Sequence, residues 1–305
     1  MYRTWVILRH TFMDAIVQPI YSILVLLGIC ILVIFGVLPF FTLGEDTVMF
    51  KSVGLDVIQI LILVATLFAT SKSIYDEIED RSMLTLMSKP VSKWEVLLGK
   101  YLGISAAALL AVALLGTVLI LATWLRIPRD YTMAASSIDD QAIKLLYDTR
   151  IMHVMGLLPN LLTCWMQISV LAAIGVALST RFSLVVNLPA VIILYIAGNL
   201  TRFLVPIWSD AANAPLAHRP ALKVLAQVLT TVLPYLENFD VRAAGISGKI
   251  ALRGTAFASD PQAFSLGALW GAVGWGMLYG VCYIGLALLV GMMMFRNREL
   301  GGAEG

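Results

Sequence analysis

The stretch LGISAAALLAVALLGTVLILATWL, residues 102–125, contains no charged side chain. As an α-helix it would be roughly 36 Å long, at about 1.5 Å per residue. The hydrocarbon layer of a membrane is roughly 30 Å thick, so this helix could cross it. A helix also satisfies its own backbone hydrogen bonds, which lipid cannot do for it. The stretch therefore predicts a transmembrane helix.

The composition of the whole chain agrees with a membrane protein. Of the 305 residues, 60% are hydrophobic and 13% are charged, and the mean hydropathy is +0.89. A soluble domain carries about 25% charged residues, because charges cover its surface. The net charge of +2 gives no basic excess, so nucleic acid is not predicted as a partner. Membrane lipid is the expected surrounding.

Five more apolar segments approach or exceed the length that a membrane span needs. The six predicted spans are residues 20–41, 53–70, 102–125, 157–178, 184–205 and 264–295. Residues 2–18 interleave apolar and charged side chains, which predicts an amphipathic helix in the membrane interface. A solvated lead-in to the first span explains the same pattern equally well. The predicted fold is an all-α integral membrane protein with a single membrane domain over residues 1–305.

Lysine and arginine in short loops predict the orientation of the spans. One side holds the denser set, which is Arg3, Arg9, Lys72, Arg81, Lys89, Lys93, Lys100, Arg181, Arg296 and Arg298. The other side holds Lys51 in its only short loop, and further cations in the long loops 126–155 and 207–263. We expect a multi-pass protein of the plasma (inner) membrane with both termini in the cytoplasm. Residues 221–236 in the second long loop favour a re-entrant helix over a seventh span.

Residues 72–100 form the predicted cytoplasmic loop between the second and third spans. Pro90 should end a first helix, because the residue before proline avoids helical geometry. Ser92 and Glu95 have the spacing of a capping box, so a second helix should begin at Lys93 and continue into the third span. The part of the loop before Pro90 carries apolar side chains that would be exposed without a partner. They are Met83, Leu84, Leu86 and Met87. The alternative is a loop that packs only on its own bundle.

This loop resembles the signature loop of the permeases of type-2 ATP-binding-cassette (ABC) transporters. The resemblance is dense over roughly thirty residues, and elsewhere the chain is similar mainly in layout. The matching residues are Glu77, Glu79, Arg81, Ser88, Pro90, Val91, Ser92, Lys93, Leu97, Leu98, Gly99 and Lys100. Arg81 stands where many members carry glycine or lysine. The sequence is most similar to members linked to copper-enzyme maturation and gliding motility.

The resemblance implies a role and not a reaction. A separate ATPase subunit would bind ATP and Mg²⁺, and this chain would bind no cofactor and contribute no catalytic residue. A second copy or a related permease would complete the transporter, which is expected to be an exporter. The implied ATPase-coupling residues are Asp76, Glu77, Glu79, Arg81, Met83, Leu84, Leu86, Met87, Pro90, Ser92 and Lys93.

Other motifs point to packing more than to chemistry. Gly99-Lys100 lacks the earlier glycine and the following Ser/Thr of a phosphate-binding loop. The three histidines lack paired ligands at helical spacing, so no metal site is expected. Four glycines in the last span have small-xxx-small spacing, which allows close helix packing within the bundle or across a dimer. They are Gly267, Gly271, Gly276 and Gly280.

Two functions of other kinds remain open from the sequence. One is a mechanotransmitting or assembly protein that an ATPase drives without moving a substrate. The other is a stand-alone secondary transporter, which should show acidic groups near the middle of the membrane. Asn187, Asn199 and Arg202 are polar residues in the fifth span, where such groups often mark a pathway. Arg202 could equally reach the membrane interface.

Overall fold

A computed structural model describes residues 2–38, 46–79, 92–132, 140–208, 224, 227–228, 233–246, 250–251 and 264–296. At residues 73–79, 128–132, 140–142, 145 and 202–208 it describes the backbone alone.

The described chain is almost entirely helical. Its helices are α1 (Tyr2–Val17), α2 (Pro19–Val37), α3 (Asp46–Glu79), α4 (Lys93–Thr132), α5 (Asp140–Ser179), α6 (Leu184–Trp208), a 3-10 helix (Leu236–Phe239), α7 (Arg242–Gly245) and α8 (Leu266–Arg296). Two short strands, β1 (Ile250–Ala251) and β2 (Phe264–Ser265), pair in parallel. Pro19 begins α2, where its missing N–H costs nothing.

Six of the described helices contain a segment long and apolar enough to cross a membrane. These segments are Pro19–Val37, Asp46–Lys72, Lys93–Ile127, Leu146–Ser179, Leu184–Thr201 and Leu266–Arg296. Each overlaps one of the six spans predicted from the sequence. The prediction of an all-α integral membrane protein is therefore confirmed.

Helix α5 is the centre of the bundle, and α2, α6 and α8 are peripheral. In the most apolar part of Leu146–Ser179, 78% of the residues are buried, against 17% in Pro19–Val37. Helix α5 packs against α3, α4, α6 and α8. The peripheral helices expose large apolar side chains such as Leu26, Ile193 and Leu286, as expected where lipid is the solvent.

Several helices extend beyond their predicted ends. Helix α3 begins at Asp46, so Lys51 lies inside a helix, and its predicted position in a short loop is wrong. Lys51 is completely buried. Its ammonium donates to the Ile246 carbonyl and lies 2.6 Å from His153 Nδ1. A hydropathy average lowers the score of a span that contains such a lysine. The average contains no information about a hydrogen-bond partner that is distant in sequence and makes the burial possible.

The two long predicted loops are only partly described. The first, residues 126–155, contains the last turns of α4 and the first turns of α5. Most of the second, residues 207–263, lies outside the described residues, and so does most of the predicted re-entrant helix 221–236. Pro234 and Tyr235 are not helical, and the 3-10 helix follows them.

Candidate functional site

The predicted coupling residues lie at the junction between α3 and α4, and only part of this junction is described. The backbone of Asp76, Glu77 and Glu79 belongs to the last turns of α3. Ser92 and Lys93 are described with their side chains. The other predicted coupling residues lie outside the described residues: Arg81, Met83, Leu84, Leu86, Met87 and Pro90.

Ser92 and Glu95 form the capping box that the sequence predicts. The backbone N–H of Ser92 donates to Glu95 Oε2 at 3.0 Å, and the backbone N–H of Glu95 donates to Ser92 Oγ at 3.2 Å. Two N–H groups that a helix leaves without partners are thereby satisfied. Helix α4 begins at Lys93 and continues for 40 residues. The predicted hinge is thus joined directly to a membrane span.

Lys93 also connects the start of α4 to the end of α8. Its Nζ donates to the carbonyl oxygens of Phe295 at 3.2 Å and Arg296 at 3.4 Å. The same ammonium lies 5.2 Å from the centroid of the Phe295 ring. A cation at this position stabilises a helix C-terminus, where carbonyl groups lack partners. We call this part of the bundle the Lys93 end.

A second cation holds the same helix end. Arg181, in the turn between α5 and α6, donates from Nε to the Met294 carbonyl at 3.4 Å. The sequence places both basic residues on one side of the membrane, but no sequence pattern links either of them to α8. The last turn of α8 is therefore held by α4 from one direction and by the α5–α6 turn from another.

Helix α1 packs closely against the first turns of α4. A Cβ atom built on Gly103 would lie 2.7 Å from the Leu8 carbonyl oxygen and 2.8 Å from Thr11 Cβ. A Cβ atom on Gly99 would lie 2.9 Å from Ile7 Cβ. Only glycine permits this approach at both positions, so α1 lies on the part of α4 that follows the hinge.

The four glycines predicted for helix packing fall into two pairs. A Cβ on Gly276 would lie 2.8 Å from the Asn238 carbonyl oxygen, and a Cβ on Gly280 would lie 2.7 Å from Met166 Cε. Both therefore pack within this chain. Gly267 and Gly271 have no described atom within 4 Å of a built Cβ.

A polar cavity lies at the opposite end of the bundle, which we call the Arg242 end. Its volume is ≈ 180 Å³. It is lined by Leu55, Asp56, Gln59, Asn160, Thr163, Cys164, Gln167, Tyr195, Asn199, Leu236, Phe239, Asp240 and Arg242. The 3-10 helix borders it with the buried side chains of Leu236 and Phe239. Most of the polar lining comes from membrane spans, where such groups usually mark function.

An ion pair joins the segment after the 3-10 helix to α3. The guanidinium of Arg242 contacts the Asp56 carboxylate, and the backbone N–H of Arg242 donates to Asp240 Oδ1 at 3.0 Å. Burial disfavours the charged form of Arg242, but hydrogen bonding and attraction to Asp56, with a smaller contribution from Asp240, raise its pKa. Arg242 is therefore charged at the mouth of the cavity.

Sequence reasoning missed this cavity, although one signal was present. It noted Asn199 as a polar residue in the fifth span. Asn160, Thr163 and Gln167 recur at positions i, i+3 and i+7, which places them on one helix face. No comparable pattern pointed to residues 236–242, because they belong to a segment that is distant in sequence from the spans that line the cavity.

Within the described residues, no group of three or more His, Cys, Asp and Glu side chains could hold a metal ion.

Comparison with known proteins identifies the family. Residues 5–300 match the family model described as "ABC-2 family transporter protein". None of the curated proteins matches the sequence significantly. The family match covers nearly the whole chain and agrees with the six membrane-spanning helices. The protein is thus a multi-pass membrane permease that belongs to the ABC-2 family of ABC transporter proteins.

Proposed function

We propose that this chain is the non-catalytic permease subunit of an ABC exporter. A separate nucleotide-binding subunit binds ATP and Mg²⁺, hydrolyses ATP, and docks on residues 74–93. This chain binds no cofactor itself. Both of its termini lie in the cytoplasm, and the protein resides in the plasma (inner) membrane.

The observation that carries this proposal is the continuity from Ser92 into α4. The capping box fixes where the helix begins. Lys93 joins that beginning to the end of α8, and Gly99 and Gly103 bring α1 against the next turns. A force applied at the hinge would therefore act on three helices together. This arrangement supports movement of the spans as a group when the ATPase changes conformation.

A second permease, either another copy or a related chain, completes the transporter in this proposal. Gly267 and Gly271, where a built Cβ meets no described atom within 4 Å, support a close approach by another helix.

Affinity purification from native membranes tests the partner. The tagged chain is compared with the double variant Glu77→Lys/Glu79→Lys. The matched control is Glu237→Lys, which reverses an exposed charge at the Arg242 end. We expect a soluble ATPase to co-purify with the wild type and with the control. The double variant should recover about tenfold less, which corresponds to roughly 1.4 kcal/mol of docking free energy.

Two results would contradict the proposed docking of an ATPase on residues 74–93. One is a chain that purifies in several detergents without any ATPase. The other is equal recovery of the ATPase with the double variant, which would place the docking site elsewhere. ATP hydrolysis by the purified chain alone would contradict a separate part of the proposal, which assigns ATP hydrolysis to the partner subunit.

A further inference from the structure

The polar cavity at the Arg242 end has an unequal charge balance. Asp56 and Asp240 contribute two carboxylates, and Arg242 contributes one guanidinium. The other described side chains of the lining are neutral, so the formal charge of the described lining is one negative unit. A negatively lined cleft between low-dielectric walls concentrates cations and repels anions.

The neutral polar groups of the lining favour donors in a ligand. Asn160 Nδ2 donates to the Gly156 carbonyl at 2.8 Å, and Asn199 Nδ2 donates to the Tyr195 carbonyl at 2.8 Å. Thr163 Oγ1 donates to the Asn160 carbonyl at 3.1 Å. Each of these side chains uses a donor within its own helix and keeps an oxygen that can accept. The lining therefore offers side-chain oxygens as acceptors, together with the remaining N–H of each amide.

Gln59 shows that the hydrogen bonding of the lining is incomplete. Its side chain is 3% exposed, and its Nε2 has no acceptor among the described residues. A buried donor without a partner costs about 1–3 kcal/mol, so Gln59 Nε2 calls for an acceptor in the cavity, which a water molecule beside a bound ligand can supply. Tyr195 and Phe239 add two aromatic rings, which attract cations.

We propose that this cavity binds a small organic cation of the ammonium type. An ammonium group supplies donors to the side-chain oxygens of the lining and neutralises the one excess negative charge of its described residues. The cavity volume of ≈ 180 Å³ suits a compact amine. This site goes beyond the proposed function, because it lies within one chain and requires no ATPase.

Cys164 provides a native probe, since its thiol lines the cavity. Cys30 and Cys282 lie on exposed faces, and replacing both with alanine leaves Cys164 as the single thiol. Three methanethiosulfonate reagents are compared on the purified full chain: neutral methyl, cationic aminoethyl and anionic sulfonatoethyl. Each forms a disulfide with the thiol, and intact-protein mass spectrometry measures the rate.

We expect the cationic reagent to react at least about tenfold faster than the anionic one, after correction for their rates with a free thiol. Asp240→Asn should reduce this preference, and Arg242→Gln should increase it. Glu237→Gln is the matched control, because it removes a neighbouring carboxylate that does not line the cavity. Asp240 and Glu237 are both exposed, so their variants should fold even if Arg242→Gln does not.

Protection of Cys164 tests binding itself. Propylammonium, propanol and propionate share a three-carbon chain, and each is added before the neutral reagent. Propylammonium alone should slow the reaction. Repeating the measurement in phosphatidylcholine bilayers with and without phosphatidylethanolamine separates the two sources of an ammonium group. Protection by phosphatidylethanolamine would assign the site to a lipid headgroup, and protection by added amine alone would assign it to a free molecule.

Equal reaction with the cationic and anionic reagents would overturn the proposal, and so would protection by propionate. Absence of protection by propylammonium would overturn it as well. None of these results depends on recovery of an ATPase.

Discussion

Arg126 shows how a cation is accommodated deep in this bundle. Its side chain is 5% exposed. Its Nη1 donates to the carbonyl oxygens of Phe35 at 2.9 Å and Leu38 at 3.0 Å, at the C-terminus of α2. Its Nη2 lies 3.9 Å from the Asp46 carboxylate. One guanidinium therefore satisfies the end of α2 and the start of α3, which a lysine could not do with a single nitrogen.

Removal of this contact should destabilise the protein. Arg126→Met leaves the α2 carbonyl groups and Asp46 without the guanidinium, and each unpaired buried group costs about 1–3 kcal/mol. We expect a lower thermal unfolding midpoint in detergent, with Arg126→Lys intermediate. The control is Lys144→Met, which removes an exposed positive charge. Equal midpoints for Arg126→Met and Lys144→Met would show that the contact contributes nothing measurable.

At the level of the elements, the contact between α1 and α4 depends on two glycines. Both lie in the first turns after the hinge, where α1 crosses close to the α4 backbone. The sequence identifies Gly99 only as part of the family resemblance. The structure gives the physical reason, since a side chain at either position would meet α1. The first turns of α4 after the hinge thus contact α1 as well.

A pair of Gly→Ala variants measures this contact. Alanine in a helix gains roughly 1 kcal/mol over glycine, but at Gly103 the new Cβ would lie 2.7 Å from a backbone oxygen. Overpacking of this kind costs about 1–3 kcal/mol. Gly103→Ala should therefore lower the thermal midpoint. Gly285→Ala should leave it unchanged or raise it, because a Cβ there meets no described atom within 4 Å. The same shift for both variants would refute close packing of α1.

The helices were predictable from sequence because length and hydropathy alone determine them. The Ser92–Glu95 cap was also predictable, since both partners lie within one turn. The contacts of Lys51 with Ile246, of Lys93 with Phe295 and of Arg242 with Asp56 were not. Each joins residues far apart in sequence, and a hydropathy pattern contains no information about such pairs. The polar cavity was missed for the same reason.

At the scale of the whole molecule, the described residues include more exposed cations at the Lys93 end than at the Arg242 end. Arg3, Arg9, Lys72, Arg181 and Arg296 are exposed, and the contacts of α1 with α4 and of Arg181 with α8 place them at or near the Lys93 end. Lys100 at the Lys93 end is buried. At the Arg242 end, Lys51 and Arg126 are buried, Arg242 is paired with Asp56, and Lys144 in the first turns of α5 is exposed. Exposed cations beside membrane spans favour the cytoplasmic leaflet, which is anionic. This difference supports a cytoplasmic Lys93 end.

Single cysteines test this orientation. After Cys30, Cys164 and Cys282 are replaced with alanine, Glu237→Cys reports the Arg242 end and Arg296→Cys reports the Lys93 end. Both parent side chains are exposed. A maleimide that cannot cross membranes should label Glu237→Cys in intact cells. It should label Arg296→Cys only after the membrane is permeabilised.

The reverse pattern would place the Lys93 end outside the cell. ATP is inside, so an ATPase could not then reach residues 74–93, and the proposed coupling would be wrong. Labelling of both cysteines in intact cells would mean that residues 237 and 296 share one side. The chain between them would then cross the membrane an even number of times, which conflicts with the single span α8. The expected pattern leaves the coupling segment where ATP is available and places the polar cavity toward the outside.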